Sequence, residues 1–170
     1  VYEDGKCGSS AASAAQKLMN VDKVNVIIGG ACSGETSSFV KTAMDQKVPV
    51  FSYCSSAPTL TGSGKYFFRN YPSDSYSAVF ASDYLYNKLN AKKVAVLYHV
   101  SDWGSALEKT FTKEYQKLGG TIVASEGVQQ SSKDFRTQLA KIKASNPDYI
   151  YMLMYSEGGA VAVLQAKELG

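Results

Sequence analysis

Hydroxyl-bearing side chains follow two apolar runs in the first third of the chain. Ser33 comes after the run at residues 24–29, and Ser55 and Ser56 come after the run at residues 48–53. Continuous apolar runs bounded by turn residues are typical of parallel strands buried on both faces, and ligands of parallel sheets bind at the carboxyl ends of the strands. Hydroxyls and backbone N–H groups at such ends predict a site that holds a small polar molecule without transforming it.

Reactive groups are scarce beside these serines. The segment at residues 29–36 differs from a phosphate-binding P-loop by Glu35, which stands where the loop requires a lysine. His99 is the only histidine, and the sequence gives it neither the nucleophile nor the orienting acid of a catalytic triad. We therefore predict that the protein is not an enzyme and has no cofactor and no metal site.

Two aromatic residues also lie where predicted strands end. Trp103 stands in a strand-to-helix loop before Gly104, and Tyr155 follows the apolar run at residues 149–154. A ring at either position can face a cleft and touch a ligand, or it can anchor its loop in the core. The sequence leaves both interpretations open.

The elements that must position these residues alternate between strand and helix. Strands are predicted at residues 24–29, 48–53, 94–98, 121–125 and 148–154, with helices at 10–20, 35–46, 75–89, 104–118, 133–144 and 158–169. This rhythm predicts parallel sheets with right-handed crossovers. It breaks at residues 57–74, which contain two prolines and two glycines and predict a domain boundary. Residues 1–4 resemble the tail of a strand, so we expect sheets that are incomplete at both ends.

Charge, hydropathy and cysteine content bear on three questions: a nucleic-acid partner, a membrane span and a disulfide. Eighteen basic and fifteen acidic residues leave a net charge of +3, and the basic residues are scattered, so we predict no nucleic-acid partner. No apolar run approaches the roughly 18 residues of a membrane span. The cysteines at positions 7, 32 and 54 are compatible with a disulfide between Cys7 and Cys32 or with three reduced thiols.

Several short motifs, each weak alone, together resemble one family along the whole chain. The chain resembles the branched-chain amino-acid-binding (Leu/Ile/Val-binding) proteins, which are type I periplasmic solute-binding proteins of ABC importers. The motifs are Tyr2-Glu3-Asp4, the block at residues 26–33, Ala57-Pro58-x-Leu60-Thr61, Phe68-Arg69-x-x-Pro72-Ser73-Asp74, Lys133-Asp134-Phe135 and Asn146-Pro147-Asp148.

The resemblance implies an α/β fold of two Rossmann-like lobes with parallel sheets that close on a ligand. Residues 1–68 would then be part of the first lobe, 69–74 a hinge crossover and 75–170 part of the second lobe. The resemblance also implies site residues and a disulfide. Ser33 would grip a carboxylate together with the segment at residues 54–56, and the ligand-binding set would be Ser33, Cys54, Ser55, Ser56, Trp103 and Tyr155, with Cys7 and Cys32 paired.

The function implied is extracytoplasmic capture of a small carboxylate-bearing ligand, such as a branched-chain amino acid, for uptake through an ABC permease. The protein would be periplasmic or extracellular, and lipid-anchored in a Gram-positive bacterium. One alternative is a ligand-sensing receptor ectodomain of the same fold. An alternative of another class is a small flavodoxin-like or hydrolase α/β enzyme.

Overall fold

The computed structural model describes residues 1–5 and 10–170. The chain divides into two units, Val1–Asp74 and Ser75–Gly170, after the proline- and glycine-rich segment. Each unit contains a three-stranded sheet. None of the helices in the described ranges combines the length and the hydropathy that a membrane span requires.

The first unit places three short parallel strands beside two helices. Its strands are ordered β1-β2-β3 in the sheet. Because the strands are parallel, the residues that follow them meet at one edge of the sheet. In chain order its elements are α1 (Ala11–Asn20), β1 (Ile27–Ile28), α2 (Ser33–Asp45), β2 (Val50–Ser52), a 3-10 turn (Pro58–Leu60) and β3 (Phe67–Arg69).

The two faces of this sheet differ in burial. Ile27 and Val50 are aligned across β1 and β2, and both are buried in a cluster with α1 and α2. Ile28 and Phe51, one residue further along, point to the opposite face and are 73% and 40% exposed. Within residues 1–170, both helices of this unit contribute to the cluster on one face, so the prediction of burial on both faces is not met for β1 and β2.

The second unit has a longer sheet in which β4 lies between β5 and β6, parallel to both. A π-helical turn (Tyr84–Lys88) follows its first helix. Its elements are α3 (Asp74–Asp83), β4 (Lys93–His99), α4 (Asp102–Lys117), β5 (Thr121–Val128), α5 (Arg136–Ala144), β6 (Tyr149–Leu153) and α6 (Ser156–Leu169).

Strand β4 is the centre of the second core. Val94 and Val96 pack on α3 and α4, whereas Ala95 and Leu97 pack on α5 and α6, and all four are fully buried. A continuous apolar run, such as residues 94–97 of β4, is expected where helices cover both faces of a parallel sheet. The predicted α/β class with parallel sheets is confirmed.

Three details differ from the sequence prediction or lie outside it. Residues 67–69 form β3 inside the segment predicted as a break, since a three-residue strand carries too little periodicity to be recognised. Residues 1–5 form no strand, so the predicted strand tail at residues 1–4 is wrong. Cys7 lies outside the described residues, and its pairing with Cys32 stays a prediction.

Candidate functional site

Polar residues that follow β1 and β2 meet at the carboxyl edge of the first sheet. Ser33 begins α2, and its Oγ accepts the backbone N–H of Ala57 over 3.1 Å. Both residues are buried. This bond ties the start of α2 to the segment at residues 54–57. A hydroxyl oxygen that accepts a hydrogen bond keeps its own proton, so Ser33 can still donate to a ligand.

Ser55 lies inside a fully buried cluster of hydroxyl groups. Its Oγ donates to the carbonyl oxygen of Gly30 over 3.0 Å and lies 2.8 Å from the Thr36 Oγ1. Its N–H donates to the Ser52 Oγ over 3.1 Å, and that hydroxyl donates to the same Gly30 oxygen over 2.8 Å. Ser55 therefore joins the end of β2 to the loop after β1, and its hydroxyl proton is engaged within the protein.

Ser56 is bound on two sides by Asp74. The Ser56 Oγ donates to the Asp74 Oδ2 over 2.6 Å, and the Ser56 carbonyl oxygen accepts the Asp74 N–H over 2.9 Å. The donor that Ser56 can offer a ligand is therefore its backbone N–H, for which no described residue supplies an acceptor. Cys54, at the start of this segment, carries an exposed free thiol.

Arg69 binds the segment that carries Ser55 and Ser56, and the sequence did not predict it as a site residue. From the end of β3, its Nη1 donates to the carbonyl oxygens of Ser55 and Ala57 over 3.3 and 3.0 Å. Its Nη2 donates to the Thr61 Oγ1 over 2.7 Å. Burial lowers the pKa of Arg69 from its ordinary value, and the charge of the neighbouring Asp74 opposes only part of that shift. A guanidinium at the end of a short aromatic run is the sequence signal that could have identified it.

The first-unit edge is rich in groups that donate hydrogen bonds. The Ser33 hydroxyl, the Ser56 N–H and the first-turn N–H groups of the 13-residue helix α2 lie there. The acidic residue of that turn, Glu35, accepts the N–H of Cys32 over 3.0 Å. A helix N-terminus with added hydroxyl and amide donors is suited to an anion, and a carboxylate offers only acceptors.

In the second unit, the residues that follow β4 and β6 form an aromatic cluster. The rings of Trp103, in the first turn of α4, and Tyr155, just before α6, are stacked at 5.0 Å between centroids and 16° between planes. His99, the last residue of β4, lies 5.4 Å from the Tyr155 ring. The structure thus brings the two predicted aromatic residues together, each partly exposed.

His99 supports this cluster through its contacts with Tyr155. The ring is buried, and burial lowers its pKa. Its Nδ1 accepts the Tyr155 N–H over 3.3 Å, whereas its Nε2 has no hydrogen-bond partner among the described residues. Over the same residues, no group of three His, Cys, Asp or Glu side chains could hold a metal ion. The position of His99 therefore indicates a role in holding Tyr155.

Comparisons with known proteins give a consistent result. The family model described as periplasmic binding protein matches residues 1–170. An amino acid binding protein of Pseudomonas aeruginosa is 31% identical over 173 aligned residues, covering 100% of this chain and 46% of that protein.

Two solved structures are similar in fold and in sequence. One is a branched-chain amino acid transporter substrate binding protein of Streptococcus pneumoniae in complex with isoleucine. It is 32% identical with a TM-score of 0.84, over 100% of this chain and 49% of that one. The other is a solute binding protein of an ABC transporter from Rhodopseudomonas palustris in complex with 3,4-dihydroxybenzoic acid. It is 25% identical with a TM-score of 0.86, over 100% and 47%. The chain spans about half the length of the relatives it matches.

Proposed function

The chain belongs to the periplasmic binding protein family, and on that premise we propose that it captures a small carboxylate-bearing ligand for uptake through an ABC transporter. The resemblance to Leu/Ile/Val-binding proteins predicted from the sequence is confirmed. The proteins of this family act by holding a solute, and the proposal contains no covalent step.

The observation that carries the proposal is the set of donors at the edge of the first sheet. The Ser33 hydroxyl accepts from Ala57 and retains its own proton, and the Ser56 N–H has no acceptor among the residues that the structure describes. Both lie where residues following β1 and β2 meet, beside the N-terminus of α2. A carboxylate bound there would receive charge-assisted hydrogen bonds, which are stronger than bonds between neutral groups.

The other predicted residues have supporting roles in this proposal. Ser55 holds the donor segment in place through its bonds to Gly30 and Ser52. Cys54 lies at the exposed end of that segment, where its thiol would border the ligand.

Within the second unit, we propose that the aromatic pair Trp103 and Tyr155 contacts a ligand. The stacked rings of Trp103 and Tyr155 are partly exposed and offer an apolar surface. Such a surface suits a branched aliphatic side chain or a benzene ring. Isoleucine and 3,4-dihydroxybenzoic acid are the ligands named for two relatives, so an amino acid and an aromatic acid are the two classes to test.

The proposal places the protein outside the cytoplasm, in the periplasm or at the cell surface, with an ABC permease as its partner. The family and the names of its relatives support this placement.

The test is calorimetric titration of the full-length protein that the gene encodes. Isoleucine, leucine, benzoate and 4-hydroxybenzoate are the carboxylate probes, and isoleucinol, which lacks the carboxylate, is the matched control. We expect at least one carboxylate to bind and isoleucinol to bind at least tenfold more weakly than isoleucine if isoleucine is that ligand. Equal affinity for isoleucine and isoleucinol, or no binding of any carboxylate probe, contradicts the proposal.

A further inference from the structure

We infer that Arg69 is a positioning residue of the carboxylate site, which orients residues 55–57 so that the Ser56 N–H is presented to the ligand. The inference rests on the proposed function and deepens it. Arg69 acts through the backbone of the segment it binds, and it is not assigned a contact with the ligand.

The first argument is that all three carbonyl groups of this segment are bound. Arg69 donates to the carbonyl oxygens of Ser55 and Ala57, and the Asp74 N–H donates to the carbonyl oxygen between them. Three successive peptide groups are therefore fixed in orientation by two residues. In a segment that belongs to neither a helix nor a strand, this fixation is supplied by side chains and caps.

The second argument follows from peptide geometry. In a trans peptide, the carbonyl group of one residue and the N–H of the next point in opposite directions within one plane. Because the Ser55 carbonyl points to Arg69, the Ser56 N–H points away from Arg69. The N–H groups of residues 55 and 57 already donate to serine hydroxyls. The Ser56 N–H is thus the amide of this stretch that is held in place and left available.

The third argument concerns the residue type. A guanidinium is planar and carries five N–H donors in a fixed fork, whereas the lysine ammonium is a compact point charge on a flexible stem. Arg69 uses two of its nitrogens to reach two carbonyl oxygens and the Thr61 hydroxyl. The negative charge of Asp74 partly offsets the positive charge of Arg69 at the site. Orientation of the segment is therefore the main contribution of Arg69.

The experiment compares Arg69→Met and Arg69→Lys with Arg136→Met in the full-length protein. Arg136 is the other arginine of the chain and is an exposed partner of Asp134 and Glu168 in the second unit, so its loss removes the same charge elsewhere. Titration uses isoleucine and 4-hydroxybenzoate as probes. We expect both Arg69 variants to bind at least tenfold more weakly than the wild type and Arg136→Met to stay within twofold.

A second readout separates positioning from a general loss of stability. In NMR spectra of the unliganded protein, the Ser55 and Ala57 amides, which donate to serine hydroxyls, should exchange their protons faster in both Arg69 variants, while amides of β4 stay unchanged. Thr61→Val, which removes one acceptor of Arg69, should weaken binding by a milder two- to fivefold, and it is the variant to measure if the Arg69 variants do not fold. Folded Arg69 variants with wild-type affinity and unchanged exchange of these two amides overturn the inference. If the wild type binds no carboxylate probe, that result counts against the proposed function instead, and the exchange rates of the Ser55 and Ala57 amides in the free proteins then decide the role of Arg69.

Discussion

The backbone N–H of Tyr155 donates to the Nδ1 of His99 over 3.3 Å. This bond requires a neutral imidazole whose proton is on Nε2, since a protonated ring would present a second donor to the Tyr155 N–H. The same tyrosine ring stacks on Trp103. The protonation state of one buried histidine therefore bears directly on the aromatic surface that we assign to the ligand.

The first prediction concerns stability at mildly acidic pH. Burial lowers the pKa of His99 from its ordinary value of 6.5, so below about pH 6.5 the unfolded chain binds more protons than the folded one. The contribution of His99 to stability is complete above that pH and is lost as the pH falls towards the folded-state pKa. We expect thermal melting between about pH 7.5 and pH 5 to show a smaller decline in Tm for His99→Asn, whose side-chain oxygen can still accept the Tyr155 N–H.

The carboxyl groups of Asp134 and Asp148 do not contribute to this decline. Hydrogen bonds from backbone N–H groups lower the pKa of both from the ordinary value of 3.8, so both stay ionised throughout the pH range of this measurement. Identical pH profiles for the two proteins would show that His99 does not contribute.

The second prediction concerns the glycine that lies over His99. A Cβ atom at Gly158 would lie 2.9 Å from the His99 Nε2, whereas one at Gly159 would meet nothing closer than 3.8 Å. We expect Gly158→Ala to lower the free energy of unfolding by about 1–3 kcal/mol, because the buried ring has little room to move. Gly159→Ala, in the same turn of α6, should be neutral or stabilising by up to about 1 kcal/mol. Urea denaturation of both variants checks this, and equal effects would contradict it.

The third prediction concerns Ser33 in the full-length protein. Ser33→Ala removes the proposed donor to the carboxylate and should weaken ligand binding by about 1–3 kcal/mol. It also leaves the buried N–H of Ala57 without its acceptor, so we expect stability to fall by about 1 kcal/mol. Ser38→Ala is the control: its exposed hydroxyl lies on the same helix and donates to the Glu35 carbonyl oxygen. We expect calorimetry and denaturation to show wild-type affinity and wild-type stability for Ser38→Ala. Unchanged affinity in Ser33→Ala would show that Ser33 does not belong to the site.

The fourth prediction uses the single tryptophan of the chain as a probe. Because Trp103 stacks on Tyr155, a ligand that contacts the pair should change the tryptophan emission during titration. We expect Tyr155→Leu to bind more weakly and to show a different starting emission. Ligand binding that is detected by calorimetry and leaves the emission of Trp103 unchanged would place the ligand elsewhere.

Much of the architecture follows from patterns that are local in the sequence. The run of apolar residues in β4 predicts a strand covered on both faces, and helices contribute to clusters on both sides of it. The same pattern fails for Ile28 and Phe51, because the sequence of a strand does not state how many helices cover it. Whether helices cover a face of a sheet depends on the tertiary structure. An apolar run in the sequence indicates only that its residues tolerate burial.

At the carboxyl edge of the first sheet, the sequence predicts the types and positions of the polar residues. It does not predict which groups their hydroxyls and amides bind. Ser33, Ser55 and Ser56 are identified correctly as residues that follow strands, yet only the structure shows that the Ser55 proton is engaged with Gly30. Arg69 lies 12 residues from Ala57 along the chain, and its bond to that carbonyl group depends on β3, which the sequence did not reveal. No repeating pattern in the sequence predicts hydrogen bonds between a side chain and the backbone across such separations.

The two sheets support the two proposed sets of binding residues to different degrees. His99 ends the seven-residue β4, which is paired on both sides and covered on both faces, so its amides should open to solvent only when the whole unit unfolds. Residues 54–57 follow the three-residue β2, and their orientation depends on Ser33, Arg69 and Asp74. Substitution of a few side chains would therefore change the orientation of the proposed carboxylate donors, whereas a shift of the aromatic cluster would require a whole core to repack.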